Sequence, residues 1–143
     1  MAQIYVQQLS SENLDEIVLL TKHLNPNIEI EVLKKRQLEM FQLDHFICFG
    51  IYKGQKLIGV SGGWITVRLY SGKQLEIDNF IINPDIQSNG YGQQLLDAMQ
   101  NWALTQNCET IELNTYVQNS RSHKFYHRND FSILGFHFQK KIN

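Results

Sequence analysis

The 143-residue sequence is poor in most features that would set it apart from ordinary globular proteins. It holds only two cysteines, Cys48 and Cys108, with neither CxxC spacing nor a histidine cluster beside them. That argues against a disulfide framework and a zinc knuckle, so both thiols read as packing groups. No stretch approaches the roughly 18 consecutive apolar residues of a membrane span, and residues 1–9 lack the basic start and apolar run of a secretory leader. A cytoplasmic protein with no membrane partner is the expectation. A surplus of one charge is missing too: 13 Lys and Arg stand against 14 Asp and Glu, so nothing draws the chain to nucleic acid or another polyanion. Repeats, low-complexity runs and linker-like segments are absent. What is there, 43% hydrophobic and 19% charged residues, suits one globular domain over 1–143 with a core that needs no covalent staples.

Periodicity sets the coarse order of elements. Residues 3–9 alternate as a strand, and Ser10-Ser11-Glu12-Asn13 then offers hydroxyl caps before Leu14, Ile17, Val18 and Leu20 begin a helical stripe. Pro26 ends that region, and Ile30, Leu33, Leu38 and Phe41 recur as the apolar face of a second helix over 31–42. Residues 45–52, 56–67 and 74–82 read as three antiparallel strands joined by hairpins at Lys53-Gly54 and Tyr70-Ser71-Gly72-Lys73. Gly59, Gly62 and Gly63 mark close backbone approach in the middle strand. Leu95, Leu96, Met99, Trp102 and Ala103 then share one stripe of a helix over 91–106. A strand over 110–117, a short helix over 120–128 and an extended stretch over 131–141, broken at Gly135, complete the chain. The unit over 76–117 is expected as a right-handed parallel crossover in an otherwise antiparallel sheet.

The informative segment is Gln87-Ser88-Asn89-Gly90-Tyr91-Gly92, where a strand gives way to the amphipathic helix. A helix N-terminus has backbone N–H groups without internal partners and a partial positive charge, which makes it a natural seat for phosphate. Gly90 and Gly92 remove Cβ atoms where backbone would meet phosphate oxygens or take positive φ. GxxxxGK followed by Ser or Thr is absent, and so is GxGxxG, which excludes the two familiar nucleotide loops.

The segment resembles the pyrophosphate-binding signature of the GNAT superfamily of N-acetyltransferases: Gln or Arg, two residues, Gly, one residue, then Gly or Ala. Gln87, Gly90 and Gly92 match it, and the likeness extends over 74–141. The resemblance implies an α/β fold in which a mostly antiparallel mixed sheet splays between strands four and five, flanked by about four helices. It implies acetyl-CoA as cosubstrate and no metal. The backbone of Phe80, Ile81 and Ile82 would pair with the pantetheine arm, and Gln87, Ser88, Asn89, Gly90, Tyr91, Gly92 and Gln93 would hold the pyrophosphate. The implied reaction is transfer of an acetyl group to a primary amine, with a non-catalytic acyl-CoA-binding module as the alternative.

Amine acetylation needs a neutral amine, whereas a lysine-like amine is almost wholly protonated at pH 7. Glu76 and Asp78, two apart on a strand, are expected to share one face with Phe80 and Ile82. A carboxylate half-buried among such neighbours suits a general base. By the resemblance Glu76 is the first candidate, with Asp78 or a water chain as alternatives; pairing of Glu76 with a neighbouring cation is the plain structural reading. Asn119 to Tyr126 resembles the family helix in which the asparagine contacts the cofactor and the tyrosine hydroxyl approaches its sulfur, so Tyr126 is the candidate proton donor. Asn119 could equally cap its own helix. The family's Gly-Phe is replaced by residues 127–131, where Asn129 or Asp130 is expected to supply the left-handed conformation. His123 and His127, four apart, lack a third metal ligand. Glu29, Glu31, Trp64, Arg68, Tyr116 and His137 are the acceptor-site candidates, and the apolar stretch from Phe131 to Phe138 points to a homodimer.

Overall fold

The computed structural model describes residues 2–143. Its strands are β1 (Ile4–Gln8), β2 (Phe46–Lys53), β3 (Lys56–Arg68), β4 (Gly72–Ile82) and β5 (Thr110–Leu113), and its helices α1 (Leu14–Thr21), α2 (Ile30–Phe41), α3 (Tyr91–Thr105) and α4 (Ser120–Arg128). The chain falls into two compact units, Met1–Glu112 and Leu113–Asn143.

The first unit is built on a sheet of order β1-β2-β3-β4-β5. The first three pairings are antiparallel, and β5 joins β4 in parallel. Entry to α1 follows the expected cap: Ser10 accepts from the Glu12 N–H while Asn13 accepts from the Ser10 N–H. On one face of the sheet Ile17 and Leu20 of α1 pack with Leu9, Cys48, Val60 and Ile81. On the other, Phe49 meets Trp102 of α3 edge to face at 5.4 Å, and Leu95, Leu96 and Met99 are fully buried. Each such side chain contributes roughly 1.5–3 kcal/mol through water it no longer touches.

Gly72, at φ +74°, opens β4; a Cβ there would collide with the Glu109 carboxylate. The close approach lets the Glu109 N–H donate to the Lys73 carbonyl at 2.7 Å and starts β5 beside the beginning of β4. With only four residues, β5 runs out before it reaches Phe80–Ile82.

Three expectations are corrected. In α2 the buried positions are Leu33 and Gln37, whereas Leu38 is exposed, so the helix is rotated by one residue relative to the predicted apolar stripe. In β4 the register runs Gly62↔Asp78 but Val60↔Ile81. One extra residue is accommodated at Asn79, whose φ is +54°, and this bulge shifts the phase: Ile81, not Phe80, shares the face of Glu76 and Asp78. The strand expected over 110–117 ends at Leu113, and residues 131–141 form no strand among the described residues, because no neighbour pairs with them.

Cys48 is buried in the α1 side of the core, and burial pushes its thiol up to about 12. Cys108 is half-buried and its thiol is raised by burial, with Lys73 opposing. Native protein exposed to iodoacetamide at pH 8 is therefore expected to carry the label at Cys108, with Cys48 modified only in denaturant; mass spectrometry of peptides checks this, and equal labelling of both would refute the burial of Cys48.

Candidate functional site

The loop before α3 is shaped by two left-handed residues. Asn83 accepts from the Asp85 N–H and starts a 3-10 turn over Pro84–Ile86. Gln87 is extended, Ser88 stands at φ +70° and Gly90 at φ +80°. Asn89 donates to the Ile86 carbonyl at 2.9 Å, which ties the loop across itself. The side chain of Gln87 donates weakly to the Ile82 carbonyl at 3.4 Å. The first N–H bonded within α3 is that of Gln94, donating to the Gly90 carbonyl, so the amides of Tyr91 and Gly92 face out of the helix mouth. No acidic residue occupies the first turn of the 15-residue helix, and Ser88, Asn89 and Gly90 are exposed. An anion there meets aligned N–H donors and the positive end of the helix dipole without a competing carboxylate.

Upstream, the α1 and α2 face of β4 carries the predicted carboxylates. Asp78 accepts from the Trp64 indole N–H at 3.0 Å. Trp64 is held by Phe46 and His45, with ring centroids 4.7 and 5.3 Å away. Glu76 lies 4.0 Å from Arg68, the expected cation partner, and both side chains are partly open to solvent. At this spacing in water the pair contributes little to stability.

Beside the bulge a cavity of about 120 Å³ is lined by Thr21, Asn25, Arg36, Gln37, Met40 and Asn79 among others. Gln37 is buried, and its Nε2 has no hydrogen-bond partner among the described residues. An unmet buried donor costs roughly 1–3 kcal/mol, and Gln37 carries it on the wall of this cavity. Sequence reasoning missed Gln37; the available signal was a polar residue one turn beyond Leu33. Of the other acceptor candidates, Glu29 occupies the N-cap position of α2 without a side-chain capping bond, and Glu31 lies 3.8 Å from Lys34.

In the second unit Asn119 caps α4, accepting from the Ser122 N–H at 3.3 Å. Asp130, at φ +67°, takes the left-handed conformation expected of residue 129 or 130. Tyr126 sits edge-on to Phe125 and Phe131 at 5.3 and 5.4 Å, and burial pushes its hydroxyl up to about 12. A phenol held so high stays protonated at neutral pH. Such a hydroxyl can donate a hydrogen bond but does not readily surrender its proton to a group as weakly basic as a thiolate, whose thiol sits near 8.5. Tyr116 and His137 are exposed. Because the Tyr126 pKa is raised on folding, its contribution to stability is complete below about pH 10 and is lost as pH climbs toward 12. Between pH 8 and 11 wild-type protein is expected to lose about 1 kcal/mol more than Tyr126→Phe in urea titrations; identical losses would contradict the burial of this hydroxyl.

A mixed sheet whose fourth strand bulges and delivers a glycine-bearing loop to a helix mouth defines a class of acyl-group transferases. The chain belongs to the acetyltransferase (GNAT) family, whose model matches residues 15–131. It is 26% identical over 141 residues to the uncharacterized N-acetyltransferase YhdJ of Bacillus subtilis, spanning 97% of this chain and 99% of that one. Its fold matches the aminoglycoside N-acetyltransferase AAC(6')-Iy in complex with CoA, with a TM-score of 0.88 at 20% identity over 100% of this chain and 97% of the other. A second structure of AAC(6')-Iy, with the bisubstrate analogue CoA-S-monomethyl-acetylneamine, gives 0.85 at 20% identity over 98% and 99%.

Proposed function

We propose that this protein transfers an acetyl group from acetyl-CoA to a primary amine. The observation that carries the reading is the loop at the mouth of α3: left-handed Ser88 and Gly90 turn the Tyr91 and Gly92 amides outward where a pyrophosphate fits. Gln87, Asn89 and Gln93 flank that seat, and the edge of β4 at Phe80, Ile81 and Ile82, beyond the reach of β5, offers backbone groups to an amide-bearing arm. The family match and the CoA-bound fold relatives support the same cosubstrate.

Acetyl-CoA supplies an activated thioester. Glu76 takes the proton that the amine sheds as its nitrogen bonds to the acetyl carbon. The Tyr126 hydroxyl donates a hydrogen bond to the sulfur as the C–S bond breaks, stabilising the thiolate without transferring its proton. Asn119, whose Oδ1 serves its own helix, contributes to cofactor binding through its remaining amide group. The acceptor enters from the α1 and α2 face, where the Gln37 donor and the Trp64 ring select an amine that also bears an oxygen.

Calorimetric titration with acetyl-CoA followed by free-thiol release with a panel of amines tests the proposal. Saturable binding and thiol release with hydroxylated or carboxylated amines are expected, and Gln37→Leu is expected to raise KM for the amine about tenfold while leaving that for acetyl-CoA unchanged. Binding without release from any amine would favour a sensing module, and no binding would end the assignment.

A further inference from the structure

On the wall of the cavity beside the β4 bulge, α2 places two kinds of side chain. Leu33, Arg36, Gln37 and Met40 recur three and four residues apart and so share one stripe of the helix. Leu33 and Met40 make that wall apolar, and Ile28 adds to it. The other two bring an amide and a guanidinium. Gln37 is only 7% exposed, and its Nε2 donor has no partner among the described residues. Arg36 is exposed, and among the described residues no carboxylate lies within ion-pair distance of it. Asn79, left-handed at the bulge, closes the β4 side.

The remaining polar groups are already engaged. The Asn25 amide donates to the Thr21 carbonyl at 3.0 Å, and the Thr21 hydroxyl to the Val18 carbonyl at 3.5 Å. No aspartate or glutamate lines the cavity among the described residues, so its one formal charge is the positive charge of Arg36. A buried N–H donor and a guanidinium together suit a planar group with two acceptor oxygens and a negative charge, because charge-assisted hydrogen bonds are roughly twice as strong as neutral ones. A hydroxyl would answer Gln37 but leave the guanidinium to water, and an ammonium would be repelled. About 120 Å³ has room for a carboxylate and a few methylenes lying against Leu33 and Met40. The bulge directly precedes Phe80, Ile81 and Ile82, the edge offered to the acyl carrier, so a molecule anchored in the cavity by one end projects its other end toward the thioester.

We propose that this cavity is a carboxylate subsite and, resting on the acetyl transfer proposed above, that the acceptor is a primary amine bearing a carboxylate on a short aliphatic chain. Gln37 and Arg36 hold the carboxylate, and the apolar wall holds the methylenes.

Matched pairs of amines offered with acetyl-CoA test the substrate class: glycine, β-alanine and γ-aminobutyrate against ethanolamine, propanolamine and butanolamine. At least one acid is expected to exceed its alcohol about 100-fold in kcat/KM. Arg36→Met, an exposed change that keeps the aliphatic stem, and Gln37→Leu are each expected to cut that ratio by about tenfold or more, chiefly through KM, with unchanged circular dichroism spectra. A readout without chemistry is the side-chain amide resonance of Gln37 in isotope-labelled protein. Butyrate, which carries no amine, is expected to shift it, and butanol is not. Acids and alcohols acetylated alike, or a Gln37 amide unmoved by butyrate, would overturn the subsite while leaving the reaction in place. Aminoethylphosphonate outrunning β-alanine would overturn the carboxylate assignment. If no amine is acetylated but butyrate shifts the Gln37 amide and Arg36→Met abolishes the shift, the proposed reaction falls and the carboxylate subsite stands.

Discussion

Gly90→Val combined with Gly92→Val is expected to weaken acetyl-CoA binding by about 100-fold or more. A Cβ at Gly90 would meet nothing within 4 Å, so the effect is conformational and not a clash. At φ +80° a β-branched residue resists the left-handed geometry by roughly 1–2 kcal/mol. Relaxing to negative φ swings the Tyr91 and Gly92 amides away from the helix axis. Hydrogen bonds to a charged group contribute about 1.5–3 kcal/mol each, and losing two corresponds to roughly 10²–10⁴ in affinity. Gly90→Asn alone supplies the control, because asparagine tolerates the left-handed region, and affinity within a few-fold of wild type is expected. Undiminished binding by the valine double variant in calorimetry would remove the loop from the cofactor site.

Glu76→Gln is expected to lower kcat by about 10²–10⁴ at pH 7, the usual scale for a lost general base. The loss has a signature that a merely structural carboxylate would not share. A lysine-like amine is neutral in roughly one part in a few thousand at pH 7 and about a third neutral at pH 10, so the deficit should shrink steadily as the pH is raised. Asp78→Asn keeps a group able to accept from Trp64 and is expected to cost less at every pH. If the pH-dependent deficit follows Asp78→Asn and spares Glu76→Gln, the base is Asp78; if neither variant shows it, protons leave through water.

The loop was legible because its chemistry is local. A glycine next to a helix start needs only its neighbours to take up positive φ, and Gly90 does so. Ser88 in the same conformation was not legible, since nothing in a serine announces it. The phase of β4 was read wrongly past Asp78 because alternation continues smoothly through Asn79 in the letters, and only the pairing with β3 reveals the extra residue. Gln37 was hidden for a similar reason: four apolar residues outlined a stripe on α2, but contact with the sheet chose the adjacent face. The segment after α4 has the alternation of a strand, yet a strand is a relation between two segments, and none among the described residues pairs with it. Tyr126 and Asn119 followed from resemblance, and the capping bond of Asn119 was the alternative its position beside a helix start already offered; the buried hydroxyl came only with coordinates.

The supernumerary residue of β4 has a practical corollary. Because Asp78 and Ile81 already lie in the positions that an uninterrupted ladder would assign them, excising Asn79 asks nothing of the hydrophobic interior and removes only the local bend beside the Gln37 cavity. The shortened chain is therefore expected to fold as the intact one does, so comparing the two by circular dichroism and by KM for the amine measures what the bend beside the cavity contributes.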